Sequence, residues 1–145
     1  MNKLIVITLI FFAIISCKER SEKNTNADIS DYIDINYNNL SGDWSLSSID
    51  NIDADSVFEN IPHIKFDSVF NQLTGNSGCN NFSANVEFAD NKIIINSIVT
   101  TRISCNDSDF ENRFVTGLMD TSAILLTNTN LIMSKNNSSL FFVKR

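Results

Sequence analysis

The chain has 145 residues, a net charge of −6, eleven phenylalanines, one proline and one histidine. A moderately acidic chain is a poor fit to nucleic acid, whose binding rests on Lys and Arg neutralising phosphates, so acidity here speaks to solubility and no nucleic-acid partner is expected. Phe, Ile and Asn in these proportions suit a single β-rich domain with turns built on Asn.

In chain order, Met1-Asn2-Lys3 is followed by an apolar run from Leu4 to Ile15 broken only by Thr8, then Ser16-Cys17. One early positive charge, a short apolar core and a small residue before the cut describe a secretory signal peptide over residues 1–16. Twelve residues rise only about 18 Å as a helix, too little for a hydrocarbon core of about 30 Å, so a spanning anchor is not expected. Ile14-Ile15-Ser16-Cys17 also resembles the lipobox of bacterial lipoproteins. That resemblance implies lipidation of Cys17, with a diacylglyceryl group on the thiol and an acyl chain such as palmitate on the new amine. Several acyl chains give stable anchoring, where one alone is marginal. Lys18, standing where an Asp would favour inner-membrane retention, implies the outer membrane, on its periplasmic or its surface face.

Residues 17–37 read as the lipidated cysteine and a disordered tether, polar and charged with few apolar side chains. Asp28, Asp31 and Asp34 recur every three residues, but the stretch lacks the central glycine and closing glutamate of a calcium loop. A solvated tether is the better reading. The domain is expected over 38–145.

Leu40 to Leu46 alternates as a strand, with Leu40, Trp44 and Leu46 on one face. Asp50 to Asn60 is an acidic connection; Asp50, Asp53 and Asp55 resemble a cation cluster only loosely, and a solvated loop is the default. Ile64 and Phe66 begin a second strand after Pro62, and Val69 to Leu73 lead into the stretch Gly75-Asn76-Ser77-Gly78-Cys79-Asn80-Asn81-Phe82-Ser83. Two of the four glycines fall here, flanking polar residues, as suits a tight turn where the backbone needs a positive φ or close approach. Phe82, Ala84, Val86 and Phe88 alternate along one strand, and Asp90-Asn91 turns the chain into another over Lys92–Ile98. Ile93-Ile94-Ile95 is apolar on both faces, which predicts cover on both sides.

Ser108-Asp109-Phe110-Glu111 matches a capping box, and Phe110, Phe114 and Leu118, with Val115 and Met119 beside them, form the apolar stripe of one helix. Three strands end the chain, at Ala123–Leu126, Leu131–Ser134 and Leu140–Val143, separated by Asn-rich turns.

Few residues could carry chemistry. Outside the cytoplasm an even pair of cysteines usually oxidises, and a Cys79–Cys105 bridge would close about 27 residues and contribute roughly 3–4 kcal/mol on the chain-entropy model. Two free buried thiols, or a metal site, are the other readings; zinc needs three or four compactly spaced ligands, and the chain has one histidine and no CxxC. No metal and no cofactor is expected. His63 could act as a general base, but no Ser or Cys sits in a recognisable elbow, and a strand-end histidine is the favoured reading. Arg102, beside the cysteine node, is read as a buried clamp on a loop carboxylate in preference to a bidentate holder of an anionic ligand.

The Leu40–Leu46 segment, the Gly75–Ser83 stretch, Thr101-Arg102-Ile103-Ser104-Cys105, and Glu111 with Phe114 and Leu118 occur in the order seen in the META domain, or HslJ-like, family. Gly-Cys-Asn-Asn-Phe followed by Thr-Arg-x-x-Cys is the most specific part of the resemblance, which spans residues 38–145; Ala84 departs from it where a glycine is common. It implies a mainly β (α+β) fold, a small antiparallel β-barrel-like structure with one helix inserted before the last three strands. It further implies an envelope lipoprotein linked to heat shock, motility or antibiotic tolerance, with no established enzymatic activity. The expected function is therefore a monomeric, non-catalytic envelope module with no catalytic residue. Its partners would be the membrane, through the lipid on Cys17, and an envelope protein or small ligand. Its structural and binding node would be Gly75, Gly78, Asn80, Asn81, Phe82, Thr101 and Arg102. The alternatives are an envelope inhibitor of a protease or lysozyme, using a protruding loop at Ala54–Asn60, and a thiol-redox or hydrolytic enzyme using Cys79 and Cys105.

Overall fold

The computed structural model describes residues 32–104 and 108–145. They form strands β1 (Gly42–Ile49), β2 (Ile52–Asp53), β3 (His63–Asp67), β4 (Gln72–Asn76), β5 (Asn81–Asn85), β6 (Glu87–Ala89), β7 (Lys92–Ile95), β8 (Ile98–Thr100), β9 (Asp120–Leu126), β10 (Asn130–Lys135) and β11 (Ser138–Lys144). A single-turn helix α1 (Tyr37–Leu40) precedes them, and the eleven-residue helix α2 (Ser108–Leu118) stands before the last three strands.

All pairings are antiparallel, in the order β6-β7-β9-β10-β11-β1-β3-β4-β5-β8, with β2 folded back on β1. Only Val86 separates β5 from β6, yet the two lie near opposite ends of that path. One residue spans at most about 3.6 Å, so the sheet must curl until its ends are neighbours. The result is a half-barrel. The expected continuous strand over 82–88 is thus two strands bent at Val86, while Phe82, Ala84 and Val86 still point into the core and Phe88 packs against it.

The interior is filled by Trp44, Phe66, Phe142 and the aliphatic residues of alternating strands, and α2 closes one side by inserting Phe114 and Leu118. Phe114 meets Phe82 and Phe142 edge-on, at centroid distances of 6.1 and 6.2 Å. Phe110 and Val115 pack at the margin of the same stripe.

Several expectations change in detail. Leu40 is buried as predicted but belongs to α1, because the Asn36 side chain accepts from the Asn39 amide and caps a turn of helix there. Its carbonyl accepts from Trp44 Nε1 at 2.9 Å. A bulge between Leu46 and Ser48 then shifts the buried phase of β1 to Ile49. β7 is fully covered on one face and partly on the other: Ile93 and Ile95 are buried and Ile94 is half-buried. The chain beyond it does not extend β7 but crosses to the far edge as β8, beside β5. Finally, the expected tether is packed at its C-terminal end. Ile33 N donates to Leu126 O at 2.9 Å, and Ile33, Ile35 and Tyr37 lie on the core, because apolar side chains at alternate positions can add to the sheet's margin. Cys17 and the signal segment lie outside the described residues, as do Asp28 and Asp31. Among the described residues, no helix is long and apolar enough to cross a membrane.

Candidate functional site

Strands β3, β4 and β5 bring the Gly75–Ser83 stretch into place. The two glycines serve the two purposes that their residue type permits. Gly75 is no turn residue. It sits inside β4 between Ile64 and Phe82, where a Cβ would collide with the His63 carbonyl oxygen and come within 2.9 Å of Phe82 Cζ. Gly78 is the turn residue, with φ +101° and Phe58 Cδ1 2.9 Å from where a Cβ would stand.

Between them lies a polar network centred on Asn80, which is 7% exposed, and Ser77, which is fully buried. Asn80 Nδ2 donates to Glu111 Oε1 (2.9 Å) and to Ile103 O (3.1 Å), while its Oδ1 accepts from Ile103 N (2.7 Å) and Thr101 Oγ1 (2.9 Å). Its backbone N–H points at Glu111 Oε1 (3.1 Å) and Ser77 Oγ (3.2 Å), and its carbonyl accepts from Ser77 N (2.8 Å). The Ser77 hydroxyl also donates to Glu111 Oε1. One side chain therefore joins the β4–β5 turn, the segment after β8, and α2. Asn suits this position because a single planar amide presents two donors and two acceptor lone pairs.

The neighbours repeat the pattern. Asn81 N donates to Thr101 Oγ1 (3.1 Å) and Thr101 N to Asn81 O (3.0 Å), continuing the β5–β8 ladder by one rung. Asn76 Nδ2 donates to Asn81 Oδ1 (2.9 Å), and Gly78 N to Asn76 Oδ1 (2.8 Å). Gly75, Gly78, Asn80, Asn81, Phe82 and Thr101 are thus assembled in one place, with Phe82 facing the core. Cys79 in the same turn is held in a disulfide; Cys105, its expected partner, lies outside the described residues.

Arg102 departs from its expected burial. It is exposed, and among the described residues it forms no ion pair. The segment Thr100–Ser104 runs along the surface because its inward bonds come from Thr101 and the Ile103 backbone, which leaves the Arg102 side chain outside. With Asn112 and Val115 of α2 it lines an open groove of about 400 Å³, floored by Asn80 and Glu111. Ile103 in the same wall is 61% exposed.

Glu111 has partners that sequence reasoning missed. Read as the closing member of a capping box, it turns Oε1 across to Ser77 and Asn80. The Ser108 side chain and residues 105–107, on which the rest of that box depends, fall outside what is described. Ser77 was within view as the small polar residue between the glycines. Only the fold shows that it is buried.

A second tie binds α2 from its outer face. Asp50 Oδ2 pairs with Arg113 Nη2 at 2.6 Å, and its Oδ1 accepts from Ser139 N at 2.8 Å. Partial burial alone would raise the Asp50 pKa; hydrogen bonds from the Ser139 backbone, Arg113 and Ser138 outweigh it and hold the carboxyl below the usual 3.8. Asp53 pairs with Ser48 in the β1–β2 ladder, and among the described residues no group of His, Cys, Asp and Glu is arranged to hold a metal. The 54–60 loop is folded down and does not protrude, since Ala54 and Phe58 are buried in the core. His63 lies on β3 opposite Ser45 and Asn76, and burial followed by the Arg145 charge pushes its pKa below 6.5.

The META domain family matches residues 38–145, three-quarters of the sequence and all of the sheet. The chain belongs to that family. The fold of this META domain is similar to that of a protein solved by NMR, with a TM-score of 0.62, 19% identity, and 77% of this chain and 96% of that one covered. It is also similar to an NMR structure of a protein from Burkholderia xenovorans, with a TM-score of 0.60, 17% identity, and 75% and 86% covered. At these identities the likeness establishes the META fold, the antiparallel half-barrel with its one main helix. No curated protein matches the chain.

Proposed function

We propose that this META domain is a non-catalytic binding module of the bacterial cell envelope, carried by a lipid on Cys17, whose ligand surface is the groove beside Arg102. The observation that carries this reading is the division of polar groups across the node. Asn80, Ser77 and Thr101 spend their hydrogen bonds on one another, on Ile103 and on Glu111, whereas Arg102 and Ile103 stand exposed on the rim. A saturated network rigidifies a site, and the exposed guanidinium on its rim is placed to recognise something. A guanidinium next to an exposed aliphatic side chain suits a carboxylate or phosphate attached to an apolar body. The Cys79 disulfide supports a structural role for that cysteine and weighs against thiol redox chemistry.

The test is a thermal-shift screen of small carboxylates, phosphates and acidic peptides on the wild type, Arg102→Ala and Ile103→Ser. Both substitutions lie on the surface, so the unliganded melting temperature should not move. A stabilising ligand that loses its effect in Arg102→Ala supports the groove; one that stabilises both variants as well as the wild type overturns it. Membrane fractionation with intact mass of the mature N-terminus tests the anchor, since Cys17→Ala should release the protein and remove the acyl mass.

A further inference from the structure

Val69 (79% exposed) and Phe70 (71%) are sequence neighbours at the tip of the β3–β4 hairpin, with Ser68 before them and Asn71 after, so four uncharged residues carry two bare hydrophobic side chains. The tip is preformed. Asp67 Oδ1 accepts from both Val69 N (2.8 Å) and Phe70 N (3.2 Å), and Asn71 takes the left-handed conformation (φ 51°) that closes the turn.

The tip also stands where the N-terminal segment leaves the domain. Asn71 O accepts from Val86 N (3.1 Å), and Val86 O accepts from the Tyr37 hydroxyl (2.6 Å), which connects the foot of the hairpin to α1 through two hydrogen bonds. The register agrees. Phe66 at the tip end of β3 faces Gly42 at the start of β1, Trp44 faces Lys144, and Asn130 faces Val143, so the hairpin tip, α1 and the β9–β10 turn share one rim. Tyr32, 44% exposed, marks the same rim, because Ile33 beside it is bonded to Leu126 at that turn. The Asn80 node lies at the opposite end of β4.

From the expected lipid on Cys17 to Tyr32 is 15 residues, which reach at most about 50 Å whatever their conformation. The rim that carries Val69 and Phe70 is therefore the rim held nearest the anchor. We propose that the Val69–Phe70 tip seats in the interfacial layer of the bilayer that holds the Cys17 lipid, which turns the Arg102 groove away from the membrane. This rests on the lipid-anchor reading. Two side chains are too few to hold a free protein on a membrane, but a short tether keeps their effective concentration in the millimolar range, where a weak apolar contact is occupied. Phe is among the side chains that bury at the headgroup–acyl boundary, and that burial needs no charge complementarity between an acidic domain and anionic lipid.

The experiment uses the full chain, lipidated and reconstituted in phosphatidylcholine–phosphatidylglycerol vesicles, carrying Phe70→Trp. Trp44 is fully buried, so the wild type supplies the background. The expected result is a blue-shifted emission from the introduced indole that loses most of its intensity with lipids brominated near the headgroup, while Trp44 emission is unchanged. Flotation of the vesicles separates the two readings. A protein that floats with a water-exposed, unquenched indole at the tip leaves the anchor standing and overturns the tip contact. One that floats with a blue-shifted but unquenched tip indole has buried the tip against a second copy, which also overturns it. One that does not float has no anchor, and both readings fall.

Discussion

Strand β4 has two ends, and they use polar and apolar groups in opposite ways. At the Asn76 end the chain turns inward: Ser77 and Asn80 are buried and bonded to two other segments, the one after β8 and α2. At the Gln72 end it turns outward, presenting Val69 and Phe70 to solvent over a turn held by Asp67 and the Asn71–Val86 bond above the last pair of the β3–β4 ladder. The inward end can change little without loss of stability, since removing one partner leaves buried donors or acceptors unmet. The outward end can change freely, and what it keeps exposed asks for a function other than stability. Rigidity and availability are separated along about five residues of one strand.

The comparison can be broken most directly at Gly75. Gly75→Ala places a methyl group against the His63 carbonyl, a backbone atom that cannot step aside without opening the β3–β4 ladder, so it should cost about 3 kcal/mol. Urea unfolding reads this as a fall in midpoint at unchanged slope. Asn80→Ala should follow at about 2–3 kcal/mol, because Ile103 N loses its acceptor, Ile103 O and Thr101 Oγ1 lose a partner, and Glu111 loses one of its donors. If either variant is as stable as the wild type, the node is not what holds the β4–β5 turn to α2.

A change of the opposite sign is expected elsewhere in the sheet. Ser122 in β9 is fully buried, and its hydroxyl has no hydrogen-bond partner among the described residues. Ser122→Ala should raise stability by about 1 kcal/mol. That contrast sharpens the point about the node, where every comparable hydroxyl is bonded.

The Asp50–Arg113 tie lies between these extremes. Asn tolerates the left-handed backbone that Asp50 adopts (φ 50°), so Asp50→Asn isolates the charge; with the pair partly exposed, about 0.5–1 kcal/mol should be lost. A carboxyl held below its ordinary pKa stabilises the fold above the unfolded value of 3.8, and that contribution disappears as pH falls through the lower folded value. The variant should therefore show a shallower loss of stability on acidification below about pH 4, with little difference in slope near neutrality.

Much of this was legible in the sequence for a physical reason. Period-2 burial in β1, β9, β10 and β11, the Asp90-Asn91 hairpin and the Phe114–Leu118 stripe depend on neighbours a few residues apart, and local pattern reports them. The two glycines were legible as special, but which needs close approach and which a positive φ depends on Phe82, His63 and Phe58, brought there by pairing. The break at Val86, the folded-down 54–60 loop and the outward Arg102 share that origin. A strand that changes neighbours halfway keeps its alternation intact, so nothing in its own residues announces the change. Glu111 shows the limit most sharply: its spacing from Ser108 fits a local cap, and nothing in that spacing announces a partner 31 residues away.

The smallest effect concerns Asp67. Its Oδ1 holds the amides of Val69 and Phe70 but touches neither the core nor the node, so Asp67→Ala should cost no more than about 0.5 kcal/mol in global stability. Its consequence is local. Amide exchange at Val69 and Phe70 should accelerate, while the Asn80 and Ile103 amides, which open only with larger units of the fold, should exchange as in the wild type. Acceleration at both sites together would mean that the two ends of β4 open as one cooperative unit and that the division between them does not exist. Acceleration at the tip alone would show that the hairpin is an independent element, free to be shaped for contact while the node stays shut.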